Sequence, residues 1–263
     1  MKIDRVSKIL AIICLGLIVV AIIVARNTPA TGYESSIYTA TPPIVWGCLI
    51  FCIICGISIV VYQIYLQKHE RDKIWIVGVL LVLLSYVTVL SLHIIRGYML
   101  WGRGDVLWHL SATRDIIATG HIQGVNFYPI SHIFTAQFSQ ISGIDAIVLF
   151  GYIPVMFALL YITFMYLLAR FILPNKGQVI LATIASTVMV HPWSIGFGPN
   201  QLAILMLPLP FYLGIRSLAD SKLQYKVQFA ILFIILLLLY PPFHMQPAIA
   251  IFLFLVTIWI LPK

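Results

Sequence analysis

The chain has 263 residues, 62% of them apolar and only 9% charged, with a formal net charge of +8. Soluble domains carry about 25% charged residues, so this sequence cannot cover a water-facing surface. Its basic residues sit in connectors between apolar runs, an arrangement that argues against a nucleic-acid-binding face.

Met1 to Lys8 is basic, and the apolar run after it is about 17 residues long, with no small-residue cleavage site behind it. That run is expected as a first membrane span near 9–25 rather than as a signal peptide. Further spans are expected near 43–66, 74–95, 144–172, 178–190, 202–217, 227–240 and 247–261, about eight in all. Runs such as Ile9 to Ala25 and Val77 to Leu90 do not alternate with period two, so they read as helices and not as barrel strands. The expected fold is an all-α, polytopic transmembrane helical bundle forming a single domain over residues 1–263. Cys14, Cys48, Cys52 and Cys55 lie inside apolar runs, which excludes a loop-borne disulfide framework. Cys48, Cys52 and Cys55 share a helix face. They read as buried small side chains, with a metal site as the alternative.

The connectors assign an orientation. Met1–Lys8, Gln67–Lys73, Arg170–Gly177, Arg216–Lys226 and Lys263 hold twelve of the 16 Lys and Arg residues. The opposite set holds Arg26, Arg96, Arg103 and Arg114. The positive-inside rule therefore places the N-terminus in the cytoplasm and predicts a multi-pass protein of the plasma membrane. Two expected spans are short for a crossing: one stops before His191-Pro192, the other before Pro241-Pro242. Early stops line polar cavities, so a cavity is expected at the external face; the alternative is that the helices continue through proline.

The external connector 96–143 is the longest and holds three of the seven histidines. Gly104-Asp105 marks a helix start and Gly120 a stop, with Leu107, Leu110 and Ile117 as apolar positions. Asp105 and His109 are four apart and share a face, as do Ser111 and Asp115; Arg114 points away from Asp105. A second helix is expected from Pro129, with Ile130, Ile133, Phe134, Phe138 and Ile141 as its apolar stripe. Ser131, His132, Thr135 and Gln140 lie elsewhere on its surface. The connector thus reads as two amphipathic interfacial helices.

Asp105 carries the most chemistry. A carboxylate there can take a proton from an acceptor hydroxyl, ligate a divalent cation, or act as a plain helix cap worth about 1 kcal/mol. His109 can orient Asp105, bind phosphate when protonated, or sit at the interface. Arg103 and Arg114 can grip a lipid phosphate or only touch headgroups. His191 and His244 border the short spans, and His93 sits at the outer end of its own.

Gly104-Asp105-x3-His109, Arg114, Gly120 and Asn126-Phe-Tyr128-Pro129-x2-His132 resemble the first external loop of the GT-C glycosyltransferases, among them oligosaccharyltransferase catalytic subunits and protein mannosyltransferases. In that family an acidic residue follows an early membrane helix, and amphipathic helices and a Tyr-Pro segment come next. Asp105 occupies the acid position and Tyr128-Pro129 the Tyr-Pro position. The helix Ile74 to Ile95 corresponds to the first core helix, so residues 1–73 would be two additional spans on a core of 74–263. The resemblance implies transfer of a sugar from a polyprenyl-phosphate or polyprenyl-diphosphate donor to a protein, lipid or glycan acceptor on the non-cytoplasmic face. It casts Asp105 as base or metal ligand, His109 as its catalytic neighbour, and Arg103, Arg114, Asp115, Tyr128, His132, His191 and His244 as contacts to donor phosphate or substrate. A divalent cation, Mg or Mn, is the implied cofactor. The chain departs from the pattern in having no Asp, Glu or Arg in 191–201 or 241–246. That departure keeps a non-catalytic membrane subunit open as the alternative. A transporter is a third reading, disfavoured because ionisable residues gather at one face and not mid-span.

Overall fold

The computed structural model describes residues 2–66, 73–102, 104–189, 196–219 and 222–260. Among the described residues the fold is all-helical, with no strand. Arg103 and His191, expected as substrate contacts, lie outside the described residues.

Five helices are long and apolar enough to cross a membrane: Arg5–Arg26, Pro43–Tyr65, Ala146–Ile172, Pro199–Ala219 and Leu223–Phe243. Ile74–Leu90 and Met245–Thr257 are apolar but shorter. Large apolar side chains such as Ile12, Ile54, Leu80, Leu238 and Phe252 stand exposed along these helices. Such faces are stable only against lipid, where no water is ordered around them. The chain is a multi-pass membrane protein on this ground.

The crossings differ from expectation at two places. The span expected to end before Pro241-Pro242 runs on to Phe243, for 21 residues. Both prolines fall in its last turn, where each removes an N–H bond to the carbonyl four residues back, a loss that membrane helices tolerate, and His244 N–H closes the helix on the Tyr240 carbonyl at 2.8 Å. One of the two early stops that pointed to a cavity is therefore absent. The span Pro199–Ala219, expected near 202–217, is interrupted at the single residue Leu207 between Pro199–Met206 and Pro208–Ala219, where Pro208 has no N–H to donate back into the helix.

The chain groups into two compact units. The first, Met1–Met99 with Asn175–Pro192, holds α1 (Lys2–Arg26), α2 (Ile37–Ala40), α3 (Pro43–Tyr65), α4 (Ile74–Leu90), α5 (Leu92–Ile95) and α9 (Lys176–Ser186). α3 and α4 touch backbone to backbone at a reciprocal glycine contact. A Cβ on Gly56 would lie 2.7 Å from the Gly78 carbonyl oxygen, and one on Gly78 would lie 2.7 Å from that of Gly56. Small residues let membrane helices approach in this way. Val60, Val82, Ile180 and Ile184 join α3, α4 and α9 in one cluster. The four cysteines are free thiols buried on α1 and α3, and Cys52 Sγ donates to the Cys14 carbonyl at 3.3 Å.

At one end of this unit Arg96, 2% exposed, organises the 27–42 segment. Its Nη1 and Nη2 each donate to a Glu34 carboxylate oxygen at 2.7 Å, and its Nε donates to the Thr28 carbonyl at 2.9 Å. Tyr98 hydroxyl also donates to Glu34 and accepts from Arg96 Nη1 at 3.0 Å. The guanidinium's hydrogen bonds hold the Glu34 carboxyl below its ordinary range. Burial first, and the Glu34 contact second, push the Tyr98 phenol up to about 12. Arg96 is thus buried and paired, not an exposed external cation.

The second unit, Leu100–Pro174 with Trp193–Lys263, holds α6 (Asp105–Thr119), α7 (Ile130–Ser142), α8 (Ala146–Ile172), α10 (Pro199–Met206), α11 (Pro208–Ala219), α12 (Leu223–Phe243) and α13 (Met245–Ile260). Asp145 caps α8 by accepting from Ile147 N–H at 2.9 Å. Phe150 of α8 stacks on Phe197 with ring centroids 3.7 Å apart. Arg216 lies over the rings of Phe171 and Phe229 at 5.1 and 4.7 Å.

Candidate functional site

The Gly-Asp start and both glycine stops in the long connector form where the sequence places them. Gly104 (φ +36°) precedes α6, Gly120 (φ +71°) ends it, and Gly143 (φ +72°) ends α7; side chains rarely adopt such backbone conformations. Asp105 is the first residue of α6, behind a glycine cap that has no side chain to bond the helix's free N–H groups. Its carboxylate is exposed at the mouth of the helix. Pro129 caps α7 and does not open it; the helix begins at Ile130.

α7 is inverted with respect to an amphipathic helix of a soluble protein: its polar side packs inward. Ser131, His132, Thr135 and Ala136 are its buried residues. Phe134, Phe138 and Ile141 from the apolar stripe face outward, Ile141 at 85% exposure. A stripe reports periodicity, not direction; a helix whose outer side meets lipid turns its polar side inward. On α6, Leu107 is likewise exposed, and Val106, Leu110 and Thr113 supply the packed face.

This inversion assembles the site. His132, 0% exposed, is thrust from α7 towards His109 of α6. His109 Nδ1 and His132 Nε2 are 2.9 Å apart, with the rings nearly parallel at a centroid separation of 5.0 Å. His132 Nδ1 lies 3.0 Å from Asn126 Nδ2. With Asn126 Nδ2 facing it, His132 Nδ1 accepts, His132 Nε2 donates to His109 Nδ1, and His109 carries its proton on Nε2, the end of the chain that points away from His132; with the amide turned over, every step reverses. Trp108 sits edge-on to both rings, with centroids 5.1 and 5.7 Å away, and Phe197 closes the other side at 6.4 Å from each.

Burial holds both imidazoles neutral. It depresses His132 to about 4, helped by the His109 neighbour, and lowers His109, with the Asp105 charge pulling the other way. The site therefore offers an uncharged relay ending one turn from a carboxylate. Burial works against a protonated His109 gripping phosphate.

The remaining expected residues are placed as follows. Arg114 pairs with Asp145 at 3.4 Å on the surface, so its guanidinium is engaged with the α8 cap. Asp115 accepts from Gln123, not from Ser111. Tyr128 and His244 come together with ring centroids 4.4 Å apart, and His244 Nδ1 accepts from Gln246 N–H at 3.2 Å. Burial lowers the His244 pKa. His93 is buried in α5 and not interfacial. Among the described residues no three His, Cys, Asp or Glu side chains converge as metal ligands. Asp105 supplies one carboxylate, and a Mg or Mn held there would take its remaining ligands from water and the donor's phosphates.

Sequence reasoning missed Asn126 and Trp108 as parts of the site. Trp108 could have been found from its spacing, three residues after Asp105 and on the same helical face. No family model, curated protein or solved structure matches the chain.

Proposed function

We propose that the chain is a GT-C-type membrane glycosyltransferase, or its membrane module, acting on a polyprenyl-phosphate-linked sugar at the non-cytoplasmic face of the plasma membrane. In this reading it crosses the bilayer eight times with its N-terminus in the cytoplasm, and α6 and α7 lie at the interface. The observation that carries the reading is the exposed Asp105 carboxylate at the first turn of α6, backed one turn on by the His109–His132–Asn126 chain. Asp105 takes the proton from an acceptor hydroxyl. The acceptor oxygen forms its bond to the sugar's anomeric carbon as that carbon's bond to the phosphate oxygen breaks, and the electron pair leaves with the polyprenyl phosphate. The neutral relay donates a hydrogen bond through His109 Nε2 and keeps Asp105 the only charge at the reacting hydroxyl. No step is routed through a metal.

The test is sugar transfer by the purified chain in lipid nanodiscs supplied with polyprenyl-phosphate sugars. Asp105→Asn should lower turnover by about 10²-fold or more, with the melting curve unchanged. Equal turnover in that variant would remove Asp105 from the chemistry. One observation favours a second reading, a non-catalytic membrane subunit. Arg114, expected to grip a donor phosphate, is already paired with Asp145. A subunit of this kind would show no turnover and no loss of partner binding in Asp105→Asn.

A further inference from the structure

We propose that Trp108, with Asp105 and His109, forms a seat for a pyranose ring, which makes the acceptor a saccharide and not a peptide or a lipid hydroxyl. The inference rests on the transferase reading for the word acceptor; the seat itself stands on geometry alone.

Asp105, Trp108 and His109 occupy positions i, i+3 and i+4 of α6 and share one face. Trp108 is 42% exposed although it packs edge-on against two imidazoles, so part of its indole is held rigid while part stays open. A pyranose presents a patch of axial C–H bonds on one side and hydroxyls around its rim. The C–H patch suits the electron-rich face of an indole. The rim needs a strong acceptor and a fixed donor beside that face. Asp105, exposed in the first turn, supplies the acceptor. His109 Nε2 supplies the donor in the tautomer that goes with Asn126 Nδ2 facing His132. The same Trp could instead be an interfacial lipid anchor. The polar groups on either side of it along its own face favour the sugar, because an acyl chain would leave both without partners.

The experiment is saturation-transfer NMR on the full chain in nanodiscs free of glycosidic detergent. The probes are methyl α-mannopyranoside, methyl β-galactopyranoside and methyl β-glucopyranoside. Saturation of the aromatic protons should reach the axial C–H protons of at least one probe. The transfer should fall about tenfold or more in Trp108→Ala and be partly kept in Trp108→Tyr, which retains an aromatic face. No transfer from wild type to any probe, or full transfer in Trp108→Ala, would overturn the seat. So would quenching by brominated acyl chains that is present in wild type and gone in Trp108→Phe, since it would put the indole in lipid. If the ring belonged to the donor, Trp108→Tyr would raise KM for the polyprenyl-phosphate sugar alone, and the saccharide acceptor would be overturned; a raised KM for the acceptor alone supports it. A pyranoside that binds while no donor sugar is ever transferred defeats the transferase reading and leaves the seat. Transfer to peptide or lipid with no pyranoside bound does the reverse.

Discussion

Glu34→Gln is a severe test of how the first unit is held together. The substitution keeps the shape of the side chain and removes its charge, leaving the Arg96 guanidinium 2% exposed against a neutral amide. Two charge-assisted bonds of 2.7 Å are weakened at once, and Tyr98 loses a charged acceptor. Breaking a buried pair by removing one partner costs about 3–5 kcal/mol, because the surviving charge is stranded. Replacing both partners with apolar groups of similar size, Glu34→Leu with Arg96→Met, should recover much of that loss. The assay is built into the unit: Cys14 and Cys52 are fully buried free thiols, so a thiol-reactive fluorophore reports its opening on heating. Glu34→Gln should lower the midpoint by roughly 10 °C, and the double variant should lie well above the sum of the two single losses. A Glu34→Gln midpoint within about 1 °C of wild type, or strict additivity in the cycle, would refute the claim that this pair anchors the 27–42 segment.

Two further outcomes follow from the packing. His132 is neutral when folded and protonates only at about 4, whereas the unfolded chain takes its proton near the ordinary value of 6.5. The unfolded state therefore binds more protons in that window, and stability should fall as pH drops from about 6.5 to about 4, by about 3 kcal/mol from this residue. Chemical-denaturation curves across that range should show it, and His132→Leu should flatten most of the slope; an unchanged slope would mean the imidazole is not buried as described. Gly56→Ala should destabilise by about 1–3 kcal/mol, since its new methyl meets the Gly78 carbonyl, while Gly16→Ala meets nothing within 4 Å and should be neutral or better. Equal midpoints for the two alanine variants would argue against the close α3–α4 contact.

Much of the second unit's frame was legible in the sequence. The limits of α6 and α7 are written in Gly104, Gly120 and Gly143, because each needs a backbone that side chains avoid. The shared face of Asp105 and His109 follows from helix geometry alone. What was hidden is of two kinds. The direction in which α7 turns its stripe depends on what surrounds it, and a one-dimensional pattern cannot distinguish core from lipid. The other hidden features are long-range pairings: Arg96 with Glu34 across 62 residues, and His109 with His132 across 23. Each of those side chains alone reads as a surface residue. The two prolines of α12 misled because a membrane helix tolerates the backbone bonds that proline removes.

The hydrogen-bond chain that ends at His109 takes its polarity from a single planar group. Asn126 Oδ1 is buried with no partner, so a half-turn of that amide would present oxygen to His132 in place of nitrogen. Both imidazoles would then exchange tautomers in concert, and the outermost ring nitrogen would change from proton donor to proton acceptor. One carboxamide rotation, with no change of net charge, would convert the neighbour of Asp105 from an acid into a base.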